Sequence, residues 1–420
     1  MMAEQQTFVI VGGGLAGARA AEAIRGEGFT GRVVIVAAED AYPYIRPPLS
    51  KEYLQGGADR DSVFVHPADW YAQQDIEVLR GHEASALSPG SHELTLVSGE
   101  VRRYDKLLLA TGATPRRFGG EGAQLPGVHY LRTVADSSAL RAALSPGNRR
   151  VVVVGSGWIG LEVAATALGY GNSVTVLGHE PVPLAAAVGE RVGHVFAGLH
   201  REHGVDLRSS TDVDALLGDA RGVTGVRTAS GDVVPADVVV LGIGVIPNSG
   251  LAEAAGLEVD NGIVTDASFQ TTDADVYAVG DVASVYHPVL GRRIRIEHWA
   301  NAENAGAAAG RAMAGAEVSY DEIPYFYTDQ FDLGMEYSGY GVLAADAEVV
   351  FRGDVEGREF IAFWVKDSRV VAGMNVNVWD VNETVQRLIR ERVPVDAARL
   401  QDESMALEDL LSPVGADEGN

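Results

Sequence analysis

Gly155, Gly157 and Gly160 stand at the spacing GxGxxG, within Gly155-Ser156-Gly157-Trp158-Ile159-Gly160, and the chemistry such glycines serve is the holding of a pyrophosphate. The first permits a tight turn, the second lets the backbone approach the phosphates, and the third lets helix pack on strand. A helix beginning at that turn offers unpaired N–H groups to the anion. Gly12-Gly13-Gly14-Leu15-Ala16-Gly17 repeats the pattern 143 residues earlier. Glu39 lies 22 residues after Gly17, where a carboxylate would accept hydrogen bonds from the hydroxyls of an adenosine ribose. The residue directly after the corresponding strand of the later unit is Gly178, with His179 and Glu180 behind it, so NAD and NADP both stay open.

The elements that must position these residues are legible on either side of them. Val151–Val154 is an unbroken β-branched run, as expected of a strand buried on both faces of a parallel sheet. Leu161, Ala164, Ala165 and Leu168 follow at helical spacing, and Ser173–Leu177 reads as a second strand, completing a βαβ unit. In the first unit the strand is Phe8–Val11, the helix is Ala-rich to about Ile24, and the return strand is Val33–Val36.

Further candidates sit at strand ends and in one rigid loop. Arg46-Pro47-Pro48-Leu49-Ser50-Lys51 carries two cations beside the first nucleotide unit, with a short helix expected to open at Leu49-Ser50-Lys51; a solvated surface loop is the alternative. Lys106–Ala110 runs into Thr111-Gly112, Val233–Leu241 into Gly242-Ile243-Gly244, and Val276–Val279 into Gly280-Asp281, and strand C-termini are where open α/β sheets bind ligands. Asp281 would meet a polyol hydroxyl or merely cap a helix. Trp299, at the start of a helix read over Ile296–Met313, would cover a flat ring or be core. Helices are also expected at Val134–Leu144, Val195–His203 and Val381–Arg392, and strands at Glu77–Arg80, Glu93–Val97, Glu348–Arg352, Glu359–Val365 and Val370–Val376.

The expected fold is α/β: two Rossmann-like dinucleotide-binding domains plus a C-terminal α+β domain. Residues 1–113 and 246–323 would form a discontinuous first nucleotide domain, 114–245 the second, 324–412 the C-terminal domain and 413–420 a disordered tail. The chain has 420 residues, 33 basic against 58 acidic, and a net charge of −25, which argues against nucleic acid or an anionic membrane as partner. It contains no cysteine, which removes thiolate and disulfide mechanisms and Cys-based metal sites, and its ten histidines form no metal motif. No apolar run approaches membrane-spanning length. A first strand by Phe8 leaves no room for a targeting peptide, and the expected compartment is the cytoplasm.

Taken together, Gly12–Gly17, Arg46–Lys51, Ala110-Thr111-Gly112-Ala113, Tyr130-Leu131-Arg132-Thr133, Gly155–Glu162, Gly242–Asn248, Val279–Ala283, Glu297-His298-Trp299 and Asp329-Gln330 resemble the FAD-dependent ferredoxin reductases of oxygenase and cytochrome P450 systems, a group that includes apoptosis-inducing-factor-like proteins. The resemblance covers nearly the whole chain. It implies FAD in the first unit, NADH or NADPH in the second, and an iron–sulfur ferredoxin as electron acceptor, with the chain a monomer or weak homodimer. It places FAD against Gly12, Gly14, Leu15, Ala16, Gly17, Glu39, Arg46, Lys51, Ala84, Thr111, Gly112, Arg132, Gly280, Asp281, Glu297, His298, Trp299 and Tyr327. The nicotinamide coenzyme falls to Gly155, Gly157, Ile159, Gly160, Glu162 and Gly244. Lys51 and Glu162 would form an ion pair, Lys51 stabilising the reduced ring and Glu162 holding the nicotinamide amide. Two departures stand out: Gly178 where the family often has an acidic residue, and Tyr327 where it commonly has tryptophan. An NAD(P)H oxidase or quinone reductase, and a redox-sensing protein that dimerises, are the competing functions.

Overall fold

The computed structural model describes residues 5–412, so the tail expected at 413–420 lies outside the described residues. Contacts divide the chain into two compact units. The first comprises the described residues up to Arg46, Asp59–Thr114 and Val245–Pro324, and the second comprises Pro47–Ala58, Pro115–Gly244 and the chain from Tyr325 onward. Three of these seams, after Thr114, Gly244 and Pro324, fall within a residue of the expected boundaries. Two features differ: Pro47–Ala58 belongs to the second unit rather than the first nucleotide domain, and the C-terminal sheet does not separate from that second unit.

The first unit is built on a parallel sheet in the order Val276–Ala278, Lys106–Leu109, Thr7–Val11, Arg32–Ala37, Ile76–Arg80. Its central strands are apolar without alternation because both faces are covered, Ile10 and Ile35 being fully buried. Helices Leu15–Gly26 and Trp299–Ala314 pack through small residues. A Cβ at Gly306 would lie 2.6 Å from the Ala16 carbonyl oxygen, and one at Gly310 would lie 2.3 Å from that of Ala20, so only glycine permits this approach.

The second unit repeats the arrangement in the order Asp206–Arg208, Ser173–Leu177, Arg150–Val154, Val238–Leu241, Val128–His129. It also contains an antiparallel sheet ordered Tyr325–Gln330, Leu333–Gly339, Arg369–Val376, Glu359–Lys366, Glu348–Asp354. Helix Ala185–Glu202, bent at Gly189 (φ 78°), is longer than the expected Val195–His203. Its Val188, Val192, Phe196 and Leu199 share one core with Leu333, Met335, Phe360 and Trp364 of the antiparallel sheet. That shared core is why the expected third domain merges into the second unit.

Candidate active site

In the first unit the glycine turn has the shape its sequence requires. Gly12 has φ +129°, and a Cβ there would lie 2.0 Å from the Ala110 carbonyl oxygen, while one at Gly17 would lie 2.4 Å from that of Gly12. Gly14 differs: it opens helix Leu15–Gly26 in an extended conformation, and a Cβ on it would meet nothing within 4 Å. The helix has no side-chain cap and no acidic residue in its first turn. An open approach to uncapped N–H groups is what a pyrophosphate needs. Glu39 stands at the end of the second strand, its carboxylate accepting from the Tyr44 hydroxyl at 2.6 Å with the Arg46 guanidinium 3.9 Å away.

The remaining strand-end residues of this unit gather around the same sheet. Gly280 (φ +76°) turns so closely beside the helix that a Cβ would stand 3.2 Å from that of Ala16. Asp281 lies inside the short turn Gly280–Val282 rather than before it, so it does not cap that turn, and its carbonyl accepts from Arg295 at 3.2 Å. Arg295 in turn pairs with Glu297. Thr111 donates its hydroxyl to the Asn248 carbonyl at 2.9 Å and accepts the Asn248 amide on its own carbonyl at 2.8 Å, beside Gly112 at φ +68°. The helix expected from Ile296 begins at Trp299, with His298 extended before it. Burial pushes the His298 imidazole down to about 4. Trp299 is 37% exposed, which does not fit a simple core residue. Ala84 starts an edge strand of a separate antiparallel sheet, Ala84–Ser88.

The second unit carries the same turn. Gly155 has φ +108° with its Cβ direction 2.2 Å from the Gly242 carbonyl oxygen, and a Cβ on Gly160 would stand 2.2 Å from that of Gly155. Gly157 faces open space at the start of helix Trp158–Gly169, again uncapped and without an acidic first turn. Ile159 in that first turn is 46% exposed, an apolar side chain left free to meet a ligand. Gly244 has φ +92° and lies next to the Arg116 side chain, 3.5 Å from Nε. Arg132 precedes helix Val134–Leu144, its backbone N–H donating to Asp136 at 3.2 Å. Gly178 is enclosed: a Cβ there would lie 2.5 Å from the Ser156 hydroxyl and 3.0 Å from its Cβ, so a side chain at that position must displace Ser156.

Within this unit Lys51 and Glu162 form a buried ion pair, Nζ to Oε1 3.1 Å, with side chains 8% and 5% exposed. Helix Trp158–Gly169 carries Glu162 and the turn after the two prolines carries Lys51. The Ser50 hydroxyl donates to Glu162 Oε2 at 2.5 Å and the Thr328 hydroxyl to Oε1 at 2.6 Å. The loop itself is pinned, because Thr166 donates to the Ser50 carbonyl at 3.1 Å and Ser137 to that of Leu49 at 2.7 Å. The surface-loop alternative for Arg46–Lys51 therefore fails at its Lys51 end. Lys51 Nζ also stands 4.9 Å from the centre of the Tyr327 ring, a cation–π contact, and burial raises the Tyr327 hydroxyl. Ser50 and Thr328 are site residues that motif reading passed over. The signal for Thr328 was its place two residues before Gln330 on one strand, which puts both on the same face.

A carboxylate has about four lone-pair sites. Three are taken on Glu162, leaving one on Oε2. Two open glycine cradles, a strand-end carboxylate and a compensated buried cation define a two-nucleotide oxidoreductase, and the cradles fit FAD and a nicotinamide coenzyme because a Cβ at either set of closed glycines would collide with backbone. The family model for the pyridine nucleotide-disulphide oxidoreductases matches residues 6–306, and that for the reductase C-terminal domain matches 325–411. The ferredoxin–NAD(+) reductase component of the anthranilate 1,2-dioxygenase system of Burkholderia cepacia is 41% identical over 96% of this chain and 99% of its own. Putidaredoxin reductase of Pseudomonas putida is 36% identical over 99% of both chains. The crystal structure of the covalent putidaredoxin reductase–putidaredoxin complex superposes with a TM-score of 0.93 at 35% identity, over 97% of this chain and 99% of that one. The chain belongs to the pyridine nucleotide-disulphide oxidoreductase family, whose members use FAD and NAD(P)H, and it is an oxidoreductase. Among the described residues no helix is long and apolar enough to cross a membrane, and no group of side chains is placed to hold a metal ion.

Proposed function

We propose that this chain carries electrons from NAD(P)H to an iron–sulfur ferredoxin that serves an oxygenase, in the cytoplasm where reduced coenzyme is supplied. The observation that carries the reading is the presence, in one chain, of two glycine cradles of the same shape together with the buried Lys51–Glu162 pair. The ferredoxin follows from the relatives over nearly the whole chain: one is the ferredoxin–NAD(+) reductase component of a dioxygenase system, and the matched crystal structure is a reductase in complex with putidaredoxin.

Bound FAD supplies the conversion of a two-electron hydride into single electrons. The chain's residues bind and orient. The uncapped N–H groups after Gly14 would hold one pyrophosphate and those after Gly157 the other, and Glu39 would take the adenosine ribose of FAD. Ile159 covers the coenzyme with apolar surface. Lys51 would offer a desolvated cation to a flavin that gains negative charge on reduction, which is where preorganised charge is worth most. The remaining lone pair of Glu162 Oε2 would accept a hydrogen bond from the nicotinamide amide and so help orient the coenzyme. Anaerobic titration with NADH and NADPH should bleach the flavin. Reoxidation by an iron–sulfur ferredoxin should then outpace reoxidation by quinone or oxygen. A ferredoxin slower than both would replace this reading with that of an oxidase or quinone reductase.

A further inference from the structure

Behind Glu162 the second unit contains a line of buried polar groups that the coenzyme chemistry does not use. His200 on helix Ala185–Glu202 is fully buried, and Gln330 and Thr328 on strand Tyr325–Gln330 are each 1% exposed. His200 Nε2 lies 2.8 Å from Gln330 Oε1, Gln330 Nε2 lies 3.3 Å from Thr328 Oγ1, and Thr328 Oγ1 lies 2.6 Å from Glu162 Oε1. The direction of each bond is fixed by chemistry. A side-chain amide oxygen only accepts, so His200 Nε2 carries its proton and donates. The amide nitrogen only donates, so it occupies a Thr328 lone pair. The Thr328 proton is thereby left to point at Glu162.

The other end of the line closes in apolar surroundings. His200 Nδ1 is buried without a hydrogen-bond partner among the described residues, with the Phe331 ring 5.1 Å away and tilted at 69°. Burial brings the imidazole down to about 4, which keeps it neutral at neutral pH and preserves the single-proton state the line requires. Four buried polar side chains in series cost desolvation that leucine and phenylalanine in the same places would avoid. A line of this cost, ending on the one carboxylate that pairs with Lys51, is placed to orient that carboxylate.

We propose that His200, Gln330 and Thr328 are positioning residues for hydride transfer: they hold Glu162 Oε1 against Lys51 and so keep Oε2 turned to the nicotinamide. The proposal rests on the reading that Glu162 orients the coenzyme. The test compares Gln330→Leu, His200→Phe, Thr328→Val, Thr328→Ser and Glu162→Gln holoenzymes by single-turnover reduction at saturating NADH, by the intensity of the charge-transfer band of reduced enzyme with NAD, and by Tm. Thr328→Val should slow reduction roughly tenfold, the worth of the charge-assisted hydrogen bond it removes, and Gln330→Leu, which takes away the neutral bond that aims the Thr328 hydroxyl, should slow it roughly threefold; both should weaken the band with NADH affinity nearly unchanged. Thr328→Ser should recover most of the rate lost in Thr328→Val, and this pair decides the matter should Gln330→Leu fail to fold. A slow Glu162→Gln enzyme beside wild-type rate and band in Gln330→Leu and Thr328→Val, with only Tm lowered, would show that the line is structural and overturn the proposal. A wild-type rate in Glu162→Gln would instead overturn the underlying reading of the ion pair.

Discussion

Glu180 occupies in the second βαβ unit the place that Glu39 occupies in the first. Val36 pairs with Val11 and Leu177 with Val154, and the first glycine of each turn donates to the same strand position, Gly12 to the Val36 carbonyl and Gly155 to that of Leu177, both at 2.8 Å. Each glutamate stands three residues beyond that position. The acidic residue sought at Gly178 is thus present two residues further on.

The coenzyme ribose should therefore lie against Glu180. Glu180→Gln should raise the KM for NADH roughly threefold to tenfold while kcat changes little, the pattern of an interaction equal in ground and transition states. The ratio of kcat/KM for NADH over NADPH should fall. A ratio that does not move would leave Glu180 with the contact it already makes, accepting the Ala186 N–H at 3.2 Å.

Gly178 has a different role, packing. In the first unit a Cβ on Gly13 would meet the Ala37 Cβ at 2.5 Å, and in the second a Cβ on Gly178 would meet the Ser156 hydroxyl at 2.5 Å. The register makes Gly13 equivalent to Ser156 and Ala37 equivalent to Gly178. Each unit thus has one glycine and one small side chain in the pair, exchanged between them. Gly178→Ala should cost roughly 1–3 kcal/mol as overpacking, measured by chemical denaturation. Adding Ser156→Gly recreates the first unit's pairing and should restore most of that loss. Additive losses in the double variant would show that the two positions do not share the space.

The two parallel sheets were legible because their signals are local: β-branched runs such as Val151–Val154, glycines at fixed spacing, and helical repeats directly after them. Glu162 and Lys51 came from family motifs, and the ion pair expected of them is present. Thr328 and Gln330 were not legible as a buried pair, because strand Tyr325–Gln330 mixes aromatic and polar residues and buries the polar Thr328 and Gln330 while Asp329 between them is exposed. Alternation predicts polar-out, and here the polar face is in. The strand Leu333–Gly339 was missed for a related cause: Gly334 and Gly339 interrupt its pattern, yet Gly334 makes room for the Trp379 ring, whose nearest atom would lie 2.5 Å from a Cβ. The acidic position of the second unit was sought directly after the strand, at Gly178, because a count from the strand end does not follow the register, which makes Glu180 the equivalent of Glu39.

Acid should destabilise this protein earlier than its carboxylates require. His200 and His298 are both held near 4 by burial, below the unfolded value of about 6.5. The unfolded chain therefore takes up these protons first. Their contribution is full above about pH 6.5 and is lost as pH falls toward 4, by up to roughly 3 kcal/mol for each group. Tm should drop across that window. His200→Phe should remove its own share of the slope, His129 of the same unit being lowered by burial as well, and an unaltered slope would show that His200 is already protonated or solvated in the native state.

Lys51 and Glu162 should shift the flavin potential in opposite directions. Lys51→Met removes a cation that is 8% exposed and leaves the Glu162 carboxylate without its counter-charge, so two effects of one sign disfavour added electrons nearby. The midpoint potential should fall. For an interaction of roughly 1–3 kcal/mol the two-electron shift is roughly 20–65 mV, since about 30 mV corresponds to about 1.4 kcal/mol for such a couple. Reduction by NADH should slow while the protein stays yellow. Glu162→Gln removes the negative charge and keeps the shape, so its potential should rise if it changes. The double variant Lys51→Met/Glu162→Gln should return toward wild type. Loosening of the fold cannot mimic that pattern, because it would move all three variants the same way. Spectroelectrochemical titration of the three gives the signs, and a wild-type potential in Lys51→Met would place the cation out of reach of the ring and remove its proposed role.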